Sequence, residues 1–265
     1  MRPHPVWIGL LLALGLTLPA WAQCARPYQV GVSPLGWGVF EERQQLRGFV
    51  PDLIRALEAR SGCTLQLKLR PRARVLLEFS AGQLDLITSA QAAPERDAVG
   101  EHVPYATTML DLVLGPGAPP DLRSLEQLMR HEGMSLGLVR GVHLGPKLAP
   151  LIARLAEMGR IELASDFENL AERLKAGRFQ AAIYPNAIHS KQRHDGLLPP
   201  QVRVLELPEA EPQVIGLYLQ RQTIPEADRR RLQTAMRQMV ADGEVEAAYR
   251  RYLGADEARR LFRAR

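Results

Sequence analysis

The sequence predicts an α/β protein of two similar lobes, and three observations support this fold class. Strand-like apolar segments alternate with helical patterns through most of the chain, which is typical of α/β proteins with largely parallel sheets. Glycine and proline interrupt this alternation at residues 115–120, where they form the strongest linker pattern. A helix ending at glycine, followed closely by a strand, occurs at residues 81–85 and again at 176–180. This likeness favours two lobes of similar construction.

The elements before the linker begin with a strand and a well-patterned helix. The helix places Leu53, Ile54 and Leu57 on one face and ends before Gly62. The predicted strands of this first series are 28–32, 64–69, 84–88 and 109–114, and its predicted helices are 51–60 and 75–80.

The elements after the linker repeat the alternation. Asp166 is expected to be the N-cap of one of these helices. The segment 197–212 carries four prolines and can return the chain to the first series. The predicted strands are 135–139, 161–164, 181–184 and 214–219, and the predicted helices are 125–130, 148–157, 167–175, one that opens at Pro225, and 244–253.

Residues 1–22 have the order of a cleavable signal peptide. Arg2 precedes an apolar run at 6–18, and Ala20 and Ala22 occupy the positions that a signal peptidase reads. A retained membrane anchor is disfavoured because the run is shorter than the roughly 20 residues that span a bilayer. We therefore expect cleavage after Ala22 and a soluble chain in the periplasm.

Charge and cysteine content narrow the function classes. The chain has 34 basic and 29 acidic residues, and they are interspersed, which argues against binding of nucleic acid. Cys24 and Cys63 form an even pair in an exported chain, which predicts a disulfide, with two free buried thiols as the alternative. The absence of a C-x-x-C motif argues against a redox motif or a cysteine-based zinc site, and no metal or cofactor is expected.

Candidate binding residues follow the predicted strands at their carboxyl ends, where open α/β sheets bind ligands. They combine aromatic surface, cationic donors and exposed backbone, but contain no matched acid and base. This combination predicts a pocket for an organic anion or zwitterion, because arginine binds carboxylates in a bidentate manner. Each residue taken singly also fits a core or surface role. The candidates are Trp37, Phe40, Arg72, Ser89, Ala90, Gln91, Arg96, Arg140, Gly141, His143 and Asn186.

Several short motifs, in order, resemble those of the family 3 extracellular solute-binding proteins, which serve ABC uptake systems and typically bind amino acids. The likeness spans residues 25–254 and rests on order and spacing rather than on one decisive motif. The motifs are GFVPDL at 48–53, RSGC at 60–63, AGQLDLI at 81–87, PER at 94–96, PY at 104–105, VRG at 139–141, AGR at 176–178, DG at 242–243 and RYLG at 251–254.

The resemblance implies a type II periplasmic binding protein fold with two hinge crossings and a ligand closed between the lobes. One lobe is then expected at 25–115 plus 213–265, and the other at 120–208. Arg96 matches the arginine that grips a ligand carboxylate, and Ser89 and Gln91 match neighbouring donors. Trp37 and Arg72 would line the first lobe, and residues 141–143 would present backbone amides from the second.

The chain departs from the family pattern where amino-acid binders place an aspartate for the α-amino group. Pro185 and Asn186 stand there instead, which favours an anionic or carboxylate-bearing ligand over an ordinary α-amino acid. The expected role is a monomeric, non-enzymatic receptor that partners an inner-membrane ABC permease. The alternatives are an enzyme on the same scaffold, similar to cyclohexadienyl dehydratases, with His143 and Glu95 as the nearest acid or base candidates, and a detached sensor.

Overall fold

A computed structural model describes residues 24–262, so the predicted signal peptide lies outside the described residues. Two five-stranded sheets, each with its own helices, account for most of this range, together with a two-stranded hairpin. The strands are β1 Tyr28–Val32, β2 Phe40–Glu42, β3 Gln45–Arg47, β4 Leu65–Leu69, β5 Leu86–Gln91, β6 Gly100–Thr108, β7 Leu110–Leu114, β8 Leu136–Val139, β9 Ile161–Ala164, β10 Ala181–Pro185, β11 Arg203–Glu206 and β12 Gln213–Gln220.

The helices pack on the faces of these sheets and bury their apolar sides. Within the described residues, none is both long and apolar enough to cross a bilayer. The helices are α1 Phe49–Ser61, α2 Arg72–Ser80, α3 Pro94–Asp97, α4 Leu125–Arg130, α5 Gly145–Glu157, α6 Phe167–Lys175, α7 Asn186–His194, α8 Glu226–Ala241, α9 Glu244–Leu253 and α10 Ala255–Phe262.

The first sheet has the strand order β4-β1-β5-β12-β6 and forms the core of the first lobe. One face packs against α1, α8, α9 and α10 around residues such as Leu57 and Tyr249, which are almost fully buried. The other face packs against α2 through Val75 and Phe79. Burial of each such large side chain contributes roughly 1.5–3 kcal/mol to the free energy of folding. Packing on both faces therefore stabilises the sheet.

The second sheet has the order β11-β7-β10-β8-β9 and forms the core of the second lobe. α4 and α5 pack on one face around Leu125 and Leu148, and α6 packs on the other around Leu170. The sequence predicts α4 and α6 at the residues where they are observed. Asp166 caps α6 as expected, because its carboxylate accepts a hydrogen bond from the Asn169 N–H at 2.8 Å.

The chain crosses between the sheets at two places. Met109 joins β6 to β7, and residues 207–212 join β11 to β12. β7 therefore belongs to the second sheet, where it pairs with β10 and β11. The sequence-based boundary at residue 115 was wrong by this one strand, because a conspicuous glycine–proline loop follows β7 whereas the crossing itself has no such pattern.

The expectation of largely parallel sheets also needs correction. β1 pairs in parallel with β4 and β5, but β12 is antiparallel to β5 and β6, and β7 is antiparallel to β10 and β11. The antiparallel strands are those next to the crossings, because a chain that returns directly from the neighbouring lobe enters the sheet in the opposite direction.

Candidate functional site

β5 makes an irregular turn at its end, at residues 89–91, which a buried tyrosine and an arginine hold in place. Ser89 has φ +50°, an uncommon conformation for a residue other than glycine. Its N–H donates to the Tyr105 hydroxyl at 3.0 Å, and its own hydroxyl lies 2.9 Å from the same oxygen. Burial raises the pKa of Tyr105, so the phenol stays protonated at neutral pH. This turn contains the predicted site residues Ser89, Ala90 and Gln91.

Arg72 and Arg96 lie beside this turn. Arg72 donates to the carbonyl oxygens of Thr88 at 3.1 Å and Ser89 at 3.2 Å, and Arg96 donates to the Gln91 carbonyl at 3.0 Å. Desolvation, followed by repulsion from Arg96, lowers the pKa of Arg72. The two guanidinium groups therefore concentrate positive charge beside the end of β5, where Arg96 is largely shielded and Arg72 reaches solvent.

Arg96 retains donor capacity that the protein does not use. Its side chain is only 14% exposed, and its Nη1 pairs with the exposed Glu95 carboxylate at 3.0 Å. Its Nε is buried and has no hydrogen-bond partner among the described residues. A buried unpaired donor costs about 1–3 kcal/mol. An anion that accepts from this nitrogen would recover that cost and offset the repulsion from Arg72.

Hydrogen bonds connect this turn to the second lobe. The Gln91 side-chain amide donates to the Gln213 side-chain oxygen, and the Gln213 amide donates to the His143 backbone oxygen at 3.2 Å. Gln213 opens β12 directly after the second crossing. The chain of contacts therefore joins the end of β5, the crossing and the loop after β8.

The loop after β8 contains the predicted residues of the second lobe. Gly141 has φ +76°, a left-handed conformation that glycine adopts without strain. The side chains of Arg140 and His143 are exposed. Arg140 is therefore an exposed cation of the second lobe.

Trp37 and Phe40, the predicted aromatic lining, are engaged by the second lobe. Their ring centroids are 5.6 Å apart in an edge arrangement. The Lys191 ammonium of α7 lies 4.9 Å from the Trp37 centroid and 4.6 Å from that of Phe40. The indole N–H donates to the Ser190 hydroxyl at 3.3 Å. These rings form an interlobe contact in this conformation.

Asn186 is placed away from the arginines, whereas Ala90 lies between Ser89 and Gln91, whose carbonyl oxygens accept from them. Ala90 is buried in β5, and its carbonyl accepts from His102 Nε2 at 3.0 Å. Asn186 is buried, and its amide donates to Glu257 of α10 at 2.9 Å. The side chain of Asn186 thus faces the C-terminal helix, which makes it a hinge residue rather than a member of the arginine cluster.

Sequence reasoning missed three residues of this region. Gln213 lies in a crossing segment whose partners only the fold reveals. Lys191 belongs to α7, which was not predicted because its residues are mostly polar. Tyr105 was noted only as part of a motif, and its support of Ser89 depends on the pairing of β5 and β6 through β12.

Comparison with known structures agrees with this architecture. An ancestral arginine-binding protein bound to arginine has a TM-score of 0.68 and 18% identity, over 86% of this chain and 98% of that one. A putative L-cystine ABC transporter protein from Listeria monocytogenes has a TM-score of 0.67 and 18% identity, over 87% and 97%. A histidine kinase sensor domain similar to periplasmic binding proteins has a TM-score of 0.68 and 17% identity, over 86% and 96%.

Among curated proteins, none matches the chain significantly. The model of the bacterial extracellular solute-binding proteins, family 3, matches residues 29–255, which is most of the chain. The match includes both sheets, both crossings and the arginine cluster. The chain therefore belongs to family 3 of the bacterial extracellular solute-binding proteins.

Proposed function

We propose that this chain is a periplasmic receptor that holds a small carboxylate-bearing solute between its lobes and delivers it to an inner-membrane ABC permease. The observation that carries the proposal is the pair Arg72 and Arg96, with the buried Arg96 Nε lacking a hydrogen-bond partner in the part of the chain that the structure describes. A carboxylate that accepts from this donor also offsets one of the two positive charges, and bidentate recognition suits the guanidinium geometry.

The related structures support the same solute class. The ancestral protein is described as bound to arginine, and the Listeria monocytogenes protein as a putative L-cystine transporter component. Both solutes are amino acids and so carry a carboxylate. Pro185 stands where the family places an amine-binding aspartate, so the proposal requires the carboxylate and does not require an α-amino group.

Hinge closure accounts for how the solute is retained. Arg72 and Arg96 belong to the first lobe, and Arg140 and His143 to the second. A solute that contacts both sets stabilises the closed state relative to the open one, and its differential affinity sets the size of that effect. The Gln91–Gln213–His143 contacts lie beside the second crossing, where the two lobes stay close in both the open and the closed state.

A thermal-shift screen tests the proposal. The panel contains glutarate, succinate, glutamate and glutamine, together with the diamides of glutarate and succinate, which lack a carboxylate. We expect at least one carboxylate to raise the melting temperature, because ligand at 100 times its Kd adds about 2.7 kcal/mol to the free energy of unfolding. The diamides should have no effect, and removing the α-amino group should not abolish the shift.

Two outcomes would count against the receptor. A panel without any stabilising carboxylate would contradict the proposed solute class. Turnover of prephenate or arogenate by the purified chain would instead favour an enzyme similar to cyclohexadienyl dehydratases, which requires an acid or base poised at the solute.

A further inference from the structure

The aromatic pair formed by Trp37 and Phe40 already holds a cation supplied by the protein. The Lys191 ammonium lies within 5 Å of both ring centroids, at 4.9 and 4.6 Å, well inside the roughly 6 Å range of cation–π attraction. Its side chain is only 16% exposed. The lysine side chain is therefore largely shielded, and its ammonium lies against two aromatic rings of the other lobe while its hydrogen bonds to Asp195 stay exposed.

One face of α7 is arranged around Trp37. The Ala187 carbonyl oxygen accepts a hydrogen bond from the backbone N–H of Trp37 at 3.1 Å, and the Ser190 hydroxyl accepts one from the indole N–H of Trp37. The ring centroid of His194 lies 5.0 Å from that of the indole. Residues 187, 190, 191 and 194 share a face because their spacing is three or four. Lys191 thus reaches the aromatic pair from a docked helix, whose position holds the side chain in place.

Asp195, the residue that caps the end of α7, supplies the counter-charge of this lysine. Both carboxylate oxygens of Asp195 lie close to Lys191 Nζ, at 2.5 and 2.7 Å. The cation that sits between the rings therefore brings its own anion and needs none from a solute. A competing solute cation would have to displace an ammonium that is tethered, paired and partly desolvated.

We propose that Lys191 occupies the aromatic pair in place of a solute cation and so excludes cationic solute groups from this part of the cleft. The inference rests on the proposed function and specifies which solutes the receptor would exclude. A tethered group competes at an effective concentration on the order of millimolar. The receptor therefore accepts the carboxylate and rejects a guanidinium or ammonium tail.

Agmatine, which has a guanidinium and an amine but no carboxylate, tests this exclusion. From residue 23 onward, Trp37 is the single tryptophan of the chain, so its fluorescence reports occupancy of the pair. We expect Lys191→Met to bind agmatine at least about tenfold more tightly than wild type, because tenfold corresponds to about 1.4 kcal/mol, within the range of a desolvated cation–π contact. An equal Kd in both proteins would overturn the proposal.

Two matched variants separate the local effect from net charge. Arg193→Met removes one positive charge from the exposed side of the same helix and should leave agmatine binding as in wild type. Lys191→Arg keeps a cation at the pair and should retain exclusion. If Arg193→Met gained as much agmatine affinity as Lys191→Met, the effect would come from long-range charge, which would contradict the role of Lys191.

The wild-type chain tests occupancy of the aromatic pair, on which the exclusion depends, even if Lys191→Met does not fold. The ε-methylene protons of Lys191 should show an upfield ring-current shift in the NMR spectrum, and an ordinary chemical shift would contradict occupancy of the pair. Glutarate titration of the same proteins tests the proposed function separately. Failure of every carboxylate of the panel to bind any of these proteins would refute the carboxylate receptor, and the agmatine titrations would still report whether Lys191 excludes a cation.

Discussion

Asp111 shows how a single buried residue connects the lobes at the hinge. Its side chain is fully buried in β7 and accepts from His189 Nε2 at 2.8 Å and from Arg260 at 2.5 Å. Burial by itself would raise the pKa of Asp111, but the hydrogen bonds from His189 and Arg260 outweigh it, so the pKa is lowered. Arg260 lies on α10 of the first lobe, and Asp111 therefore ties that helix to the second sheet.

Asp111→Asn should lower the free energy of unfolding by about 3 kcal/mol, because it leaves a partly buried guanidinium without its main counter-charge. Urea unfolding measures this difference. Asp256→Asn, at a 94% exposed side chain paired with Arg259, is the matched control and should change stability by less than about 0.5 kcal/mol. Equal, small effects of both substitutions would contradict the hinge role of Asp111.

The same contact predicts a pH dependence. Because the folded pKa of Asp111 is lowered from 3.8, its ionised form is favoured by folding. The contribution is complete above pH 3.8 and is lost as the pH falls through the lower folded value. The stability difference between wild type and Asp111→Asn should therefore shrink only in acid. A difference that vanished on raising the pH from neutral would contradict this assignment.

At the scale of elements, the disulfide joins the start of the chain to the end of α1. Cys24 and Cys63 are bonded and are 39 residues apart, which confirms the pairing expected from the sequence. The bridge holds the segment before β1 against the loop between α1 and β4. It thereby fixes the edge of the first sheet, where β4 pairs only with β1.

Reduction of this bridge should lower the free energy of unfolding by about 4 kcal/mol in the chain-entropy model. Urea unfolding with and without reductant measures the change. The double variant Cys24→Ala/Cys63→Ala should match the reduced wild type and should not respond to reductant. Superimposable transitions of oxidised and reduced wild type would show that the bridge does not constrain the unfolded chain.

The elements that the sequence predicts are those with a clear apolar pattern. β1, α4, α6, β9 and α9 are observed at their predicted bounds. α7 was missed because it buries His189 and Gln192 beside its few apolar residues. β6 was missed because Pro104 and charged residues interrupt its pattern, although its pairing with β12 satisfies the backbone. Such elements depend on partners that are distant in sequence.

At the scale of the whole molecule, the residues proposed for the site that can be placed from the sequence are those around the first sheet. Ser89 and Gln91 lie at the end of β5, Arg96 follows that strand, and Arg72 follows β4. β4 and β5 flank β1 in parallel, so their carboxyl ends share one edge of the sheet. The roles of Trp37 and Asn186 were not predictable, because each is set by packing between lobes: Trp37 against α7 and Asn186 against α10. Interlobe packing leaves no periodic pattern in the sequence.

The central claim is that Arg96 binds a solute carboxylate between the lobes. Isothermal titration of the most stabilising carboxylate of the panel into wild type and Arg96→Ala tests it most directly, with Arg230→Ala, an exposed arginine of α8 paired with Glu226, as control. We predict that Arg96→Ala weakens binding by about 1.5–3 kcal/mol, more than tenfold in Kd, and that the control binds as wild type does. An unchanged Kd in Arg96→Ala would contradict the claim.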